Sequence, residues 1–456
     1  MENYLHIFRK QKGPGVEIKI KQKKYLIDYP RRIWNKFPVS LHKSFADSLA
    51  YVATWHLPLA QNCYLTYHFS HPLIEPAFFK ILVYSMPCNS FDYPDISTAD
   101  LIKKFYNCSF KTQFKALNYH YAGKRIKKIL KNRAILLFSF GKESLLTYGL
   151  LRELNVSVTP FFMKEPQASS ENRHKLKLAE KFLNKIGGRV NFFPLSVGRL
   201  RQKRGFYWGW DIILSQYAFF LVPFLFYHQA RYLFIGNEQS CNYCLKDNEG
   251  YFINPVFEQS VPVMQLLQDI PKLFSINTHV GSLVEPVHEI FITAILHRRY
   301  PDLGKFQMSC FSETPQAKKH RLCGHCEKCS RMFIFFKALG INTDKIGFYN
   351  NSMLATDKKQ YYVLFNSRGT DSAYGSSGLG RDEQLLAFYL AYRNGVKGDL
   401  IREFKQKYLT EAEKKKQRLV KEFFGIHSSY SLPSSLRRRV LNIYAKEQAA
   451  VMKTIT

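Results

Sequence analysis

Four cysteines, Cys310, Cys323, Cys326 and Cys329, stand as C-x12-C-x2-C-x2-C. A C-x2-C turn brings two thiolates to one metal, and four thiolates complete a closed tetrahedral zinc site. Such a site is structural, because no coordination position stays open for a substrate. Gly324 eases the turn, and Lys318, Lys319, His320 and Arg321 partly offset the thiolate charge. Buried free thiols that happen to cluster are the alternative. The second chemical stretch covers residues 134–151, AILLFSFGKESLLTYGLL. An apolar strand over 135–138 feeds the turn Ser139-Phe140-Gly141-Lys142-Glu143-Ser144, and a helix opens at Ser144. Backbone N–H groups and the positive end of the helix dipole converge there on one point. Ser139 and Ser144 add hydroxyls, Gly141 admits close backbone approach and Lys142 adds a cation, so a phosphate chain is the natural ligand. An ordinary strand–turn–helix crossover explains the spacing as well.

Glu238, Glu285, His288 and Glu289 are candidates for metal, base or substrate work. Glu285 and Glu289 also have the i,i+4 spacing of an exposed helix face. Arg298 and Arg299 suit bidentate gripping of a phosphate or carboxylate, or capping of a helix C-terminus. Cys241-x2-Cys244 lacks a matching second pair and reads as loop thiols ahead of a redox or metal pair, while Cys63, Cys88 and Cys108 read as core.

The Ser139–Ser144 turn resembles the SGGxDS pyrophosphate loop of the PP-loop ATP pyrophosphatases, with Phe140 in place of the first Gly and Glu143 in place of Asp. Those enzymes split ATP to AMP and pyrophosphate, usually adenylating a substrate. Together with the cysteine knuckle, the loop resembles the branch that contains the 7-cyano-7-deazaguanine synthases, over about residues 133–340. Two further stretches are similar to the ATP-dependent epimerases acting on UDP-N-acetylmuramoyl-L-alanyl-L-glutamate. One is Gly236-Asn237-Glu238-Gln239-Ser240 running into Gly250-Tyr251-Phe252-Ile253-Asn254; the other is Glu285-Pro286-Val287-His288-Glu289 with the later Ser309-Cys310 pair. The run after Asn254, Pro255-Val256-Phe257-Glu258-Gln259, carries no lysine and departs from the epimerase pattern.

The resemblance implies an α/β fold whose centre is a parallel-sheet domain like that of the adenine nucleotide alpha hydrolases. It implies ATP bound by Ser139, Phe140, Gly141, Lys142, Glu143, Ser144, Met163 and Gly236, with adenine near Phe161 to Met163. It further implies Mg2+ bridging phosphate oxygens, Zn2+ on the four cysteines, and catalytic roles for Lys142, Glu238, Glu285 and Glu289. The expected partner is an anionic carboxylate substrate, activated as an acyl adenylate and, in an epimerase, deprotonated at its Cα. A base- or RNA-modifying enzyme and a non-catalytic nucleotide-binding module are the competing expectations.

Alternating strands and helices must position these residues. Residues 131–340 read as the sheet domain, with strands over 156–163, 190–195 and 232–235. Helices are expected over 176–186, ended by Gly187-Gly188, and over the apolar 210–228. Ligands bind beyond the strand C-termini in such sheets, so the Ser139 loop, Met163 and Gly236 are expected along one edge. Residues 1–130 read as a basic α+β accessory domain. It would hold a hairpin of 16–20 and 25–28 about Gln22-Lys23-Lys24, strands over 63–69 and 80–84, and a helix over 100–131. Residues 341–456 read as mainly helical, with a strand over 361–365, a flexible loop over 376–380, helices over 382–392 and 400–424, and the basic Arg437-Arg438-Arg439 cluster.

With 456 residues, 46% hydrophobic and 22% charged, the chain has the composition of a globular protein with room for two or three domains. Net charge is the outlier, +32 with a pI near 9.7. It favours an anionic partner such as a nucleotide, nucleic acid or anionic lipid, unless it is a solvated surface. Residues 1–24 contain no apolar signal core, and the most apolar run, 217–227, is interrupted by Pro223 and is too short to span a bilayer. Nine cysteines without a secretory signal predict a reducing, cytoplasmic setting.

Overall fold

Apolar residues of the central strands alternate between two destinations. Ala134, Leu136 and Phe138 enter one core, Ile135 and Leu137 another; Tyr232 and Phe234 part from Leu233 and Ile235 in the same way. Successive side chains of a strand point to opposite faces, so strands apolar on both faces must be covered on both. In the computed structural model, which describes residues 3–92, 97–116, 129–201, 210–246, 249–309, 312–348, 352–366 and 377–455, they are. The strands His279–Gly281, Ala230–Phe234, Lys131–Leu137, Ser157–Lys164 and Asn191–Pro194 lie side by side in that order, all parallel. Winding starts at Lys131–Leu137, moves outward to Asn191–Pro194, then returns to continue on the other side at Ala230–Phe234. In open parallel sheets ligands bind beside such a reversal, here the C-terminal ends of Lys131–Leu137 and Ala230–Phe234.

One face is covered by helices Lys142–Glu153, Glu289–Arg299 and Glu327–Ala338 and by the C-terminal helices Gly378–Arg393, Leu409–Phe423 and Ser434–Ile455. The other is covered by helices Ile213–Phe220 and Val222–His228 and by the N-terminal region. That region has its own mixed sheet, in the order Lys23–Asp28, Gly15–Ile20, Tyr4–Lys12, Tyr64–Ser70, Gln113–Ala116. Its apolar core is continuous with that of the parallel sheet. Tyr29 Oη donates to Phe220 O (3.1 Å), and Phe45 stacks on Phe219 with centroids 5.1 Å apart.

Several expected elements differ. Lys21 takes a left-handed φ of 54°, so the hairpin turns at Lys21-Gln22 and Lys23 and Lys24 already lie in the strand. Residues 80–84 are helix, within Glu75–Asp92, because buried Phe78, Ile81, Leu82, Ser85 and Met86 follow the helical repeat. The helix expected over 100–131 runs Thr98–Phe110, with Asp100 N donating to the N-cap Ser97 Oγ (3.3 Å); Gln113–Ala116 then joins the sheet, and 117–128 lie outside the described residues. The apolar 210–228 segment breaks at Leu221, ahead of Pro223, whose ring nitrogen has no hydrogen to donate. Residues 361–365 pair with no strand: Thr356–Tyr361 is a 3-10 turn, pinned by Tyr362 Oη donating to Met353 O (2.9 Å). Gly378–Arg393 is helical from Gly378, with Ser377 as its N-cap, so the loop expected to reach 380 ends earlier; residue 376 lies outside the described residues. The segment 400–424 is two helices, Asp399–Lys407 and Leu409–Phe423. No helix among the described residues is long and apolar enough to cross a membrane.

Candidate functional site

The strand Lys131–Leu137 runs into a loop that Phe140 shapes. Phe140 adopts φ 57°, a left-handed conformation that costs a non-glycine residue about 1–2 kcal/mol. Burial compensates: its ring is fully enclosed, edge-on to Phe138 at 4.7 Å and to Phe182 at 5.7 Å, and Met308 N donates to its carbonyl (2.8 Å). This explains how an aromatic residue stands at a turn where glycine is the usual solution. Ser139 Oγ accepts from Gly141 N (3.2 Å), while Ser144 Oγ donates to Gly141 O (3.0 Å) and accepts from Ser139 N (3.3 Å). The helix begins at Lys142, two residues before Ser144, with Gly141 as its N-cap. Its first N–H groups have no carbonyl four residues back and open towards the loop. A Cβ at Gly236 would lie 2.7 Å from Glu143 Cβ, so glycine is needed where this helix meets the end of Ala230–Phe234.

Lys142, 2% exposed, is ion-paired with Glu143 and with Glu289 (2.5 Å). Glu289 opens the helix Glu289–Arg299 and also faces Arg331 (2.8 Å), which bonds Glu327 (2.9 Å). Burial alone would lower the Lys142 pKa, but the carboxylates of Glu143, Glu289 and Glu238 outweigh it and raise it. Burial alone would raise Glu289, yet Arg331 and Lys142 bring it down to about 2. Glu238 goes the other way: burial, reinforced by the Glu289 charge, lifts it well above the usual carboxylate range. Ser240 Oγ donates to Glu238 Oε1, and Glu238 Oε2 is buried without a hydrogen-bond partner. An orphaned buried carboxylate oxygen calls for a proton or a cation. A carboxylate oxygen of this kind is a hard donor of the type Mg2+ takes.

Lys142, Glu143, Glu289 and Arg331 border a cavity of about 180 Å³, whose lining does not include Glu238. Lys142, Lys175, Lys328 and Arg331 supply its cations, Glu143, Glu171 and Glu289 its anions, and Ser139, Gly141 and Ser309 much of its remaining polar wall. Lys175, Lys328 and Arg331 escaped the sequence reading. Lys175 is one of several lysines on its helix, marked by Glu171 four residues earlier, with which it pairs. Lys328 and Arg331 flank Cys329, a signal that gains meaning once that cysteine is placed beside the loop. Burial, then the neighbouring Arg331, lowers the Lys328 pKa.

Not every expected residue reaches the cavity. Met163 stands near the C-terminal end of its strand, but its side chain is buried in the core on the opposite face. Glu285 lies outside the helix and is buried, accepting from Tyr430 N (2.9 Å), Ser431 N (2.6 Å) and Ser431 Oγ (2.5 Å). It anchors the C-terminal segment and has no place in the Lys142 cluster. Glu285→Ala is expected to cost about 2–3 kcal/mol in chemical denaturation, by orphaning buried donors, and a variant as stable as the unaltered chain would show that these bonds do not anchor the segment. Arg299 is held by Glu153 (2.5 Å) and Glu447 (2.9 Å), and Arg298 by Glu447 (2.9 Å), so both tie helices together. His288 bonds Glu422 Oε1 (3.1 Å) in the C-terminal region.

Cys323, Cys326 and Cys329 place their sulfurs within 4.8 Å of one another, with Cys323 and Cys329 3.7 Å apart. Zinc–sulfur bonds of about 2.3 Å imply tetrahedral edges of about 3.8 Å, so the cluster can hold a metal such as zinc. His325 N points at Cys323 Sγ (3.4 Å), as in thiolate sites that share their charge with backbone amides. Cys310, the expected fourth ligand, lies outside the described residues. Cys241 is buried, donating to Gln259 (3.6 Å), and Cys244 is exposed; Cys63, Cys88 and Cys108 are buried. No protein-family model, curated protein or solved structure matches this chain.

Proposed function

We propose that the cavity receives the phosphate chain of ATP and that the protein adenylates a substrate carboxylate, forming AMP-linked product and pyrophosphate. The observation that carries this reading is the strand–turn–helix loop at the sheet's winding reversal, with four cationic side chains around a cavity of about 180 Å³. That volume suits phosphate groups; pockets for a whole drug-sized ligand are about 300–1,000 Å³, so the nucleoside would extend along the strand ends. A substrate carboxylate oxygen would attack the α-phosphorus, the bond from that phosphorus to the bridging oxygen would break, and pyrophosphate would leave with its electron pair. Helix N–H groups, Lys142, Lys328 and Arg331 would hold the charge that develops on it. Mg2+ would supply neutralisation of part of the same charge, with Glu238, outside the cavity lining, as its candidate donor. Epimerisation of the terminal L-Glu of a UDP-muramoyl dipeptide is the substrate reading we favour; the net charge of +32 favours a base- or RNA-modifying enzyme as the second.

ATP turnover, with AMP, ADP and pyrophosphate resolved, tests the proposal against a panel containing the muramoyl dipeptide nucleotide and 7-carboxy-7-deazaguanine. AMP and pyrophosphate are expected with one of these carboxylates, and Ser144→Ala, which loses the hydroxyl closing the loop, is expected to slow their release about tenfold or more. ADP and phosphate as products would overturn it. Tight ATP binding without turnover on any carboxylate would replace it by a nucleotide-binding module.

A further inference from the structure

Next to Glu289, three potential metal ligands from two chain segments converge. His288 immediately precedes the helix Glu289–Arg299, Glu422 lies in the last turn of Leu409–Phe423, and His427 follows in the next loop. One donor atom from each lies within 4.8 Å of the other two. Main-chain contacts fix the approach: His427 N donates to Pro286 O (2.8 Å), and His427 Nε2 bonds Glu422 O (2.7 Å). A carbonyl can only accept, so in the neutral ring Nε2 carries the hydrogen and Nδ1 keeps a lone pair. Metal-bound imidazoles are commonly oriented by such a bond from the other ring nitrogen to a carbonyl. The His288 and His427 rings are 4.9 Å apart and almost perpendicular (89°), so they do not stack. His288, 1% exposed, bonds Glu422 Oε1 through Nε2 (3.1 Å), while its Nδ1 is buried with no hydrogen-bond partner.

We infer that His288, Glu422 and His427 form a binding site for a divalent transition-metal ion of the zinc class, distinct from the thiolate cluster. Two imidazoles and one carboxylate are a known zinc donor set, leaving a fourth position for water. Metal–ligand bonds of about 2.0–2.2 Å put neighbouring donors roughly 3.3–3.5 Å apart, against 3.1 Å between His288 Nε2 and Glu422 and at most 4.8 Å for the other pairs. His288 offers Nε2, the nitrogen that faces Glu422, once the ion displaces its proton. The ion would tie the C-terminal segment to the residue just before Glu289. The inference stands on this geometry alone and is independent of the adenylation reading.

The test uses the full chain, stripped of metal and reloaded with zinc, with zinc content and affinity measured alongside Co2+ spectra. Glu422→Gln and His427→Gln are each expected to remove one zinc ion per chain or weaken it at least about tenfold, with the thiolate-to-cobalt charge-transfer band kept. Unchanged zinc content and affinity in both variants would overturn the site. Should the variants fold poorly, 15N spectra of the histidine rings in the unaltered chain decide the matter. Zinc-dependent shifts of His288 and His427 are expected, and their absence at saturating zinc would overturn the inference.

Discussion

Replacing Glu289 by alanine is expected to destabilise the protein by about 3–5 kcal/mol, the cost of breaking a buried ion pair and leaving its partners uncompensated. Glu289 neutralises Lys142 and faces Arg331, both buried. The loss also follows pH. The Glu289 pKa is about 2 in the fold, against about 4.3 unfolded, so its ionised form stabilises the fold. That stabilisation is fully present above the unfolded value and is lost as pH falls through about 2. Urea denaturation of the unaltered chain and of Glu289→Gln should show a gap at neutral pH that narrows steadily between about pH 4 and pH 2. A gap of the same size at pH 7 and pH 2.5 would show that the carboxylate charge is not what holds this cluster.

If the cysteine cluster holds a metal, its loss is expected to have the other large effect, reaching past the cysteines to the cavity. Cys329 lies on the helix Glu327–Ala338, which also carries Lys328 and Arg331 to the cavity beside the Ser139–Glu143 turn. Structural zinc contributes about 10–16 kcal/mol in peptides that fold around it. Here the helix is also buried through Phe333, Phe335 and Phe336, so part of its stability survives metal removal. Cys326→Ser, at the half-buried position of the cluster, should lower the melting temperature, abolish the thiolate-to-cobalt band and weaken inorganic pyrophosphate binding about tenfold. Unchanged pyrophosphate affinity in a metal-free variant would separate the cluster from the cavity.

What the sequence determined by itself is local. A glycine turn between an apolar strand and a helix N-terminus, and cysteines three residues apart, have meanings set by backbone geometry within a few residues. The α/β alternation of 131–340 was legible because short apolar runs alternate there with longer segments of mixed polarity. The Glu75–Asp92 helix was misread because a short apolar run carries no clear period, and neighbours on both sides decided it.

The tertiary structure decided which of the spaced residues meet. Lys142 and Glu289 are 147 residues apart, and their contact exists because two helix N-termini converge beside the sheet's winding reversal. Glu285 and Glu289 look equivalent at i,i+4, but the helix begins at Glu289, so one faces the cavity and the other caps the C-terminal segment. Met163 was assigned to the ligand edge by its strand position, yet strand alternation sends its side chain into the opposite core. Spacing along a chain supplies candidate groups, while desolvation and charge, which depend on what folds over them, decide which become a buried ion-pair cluster.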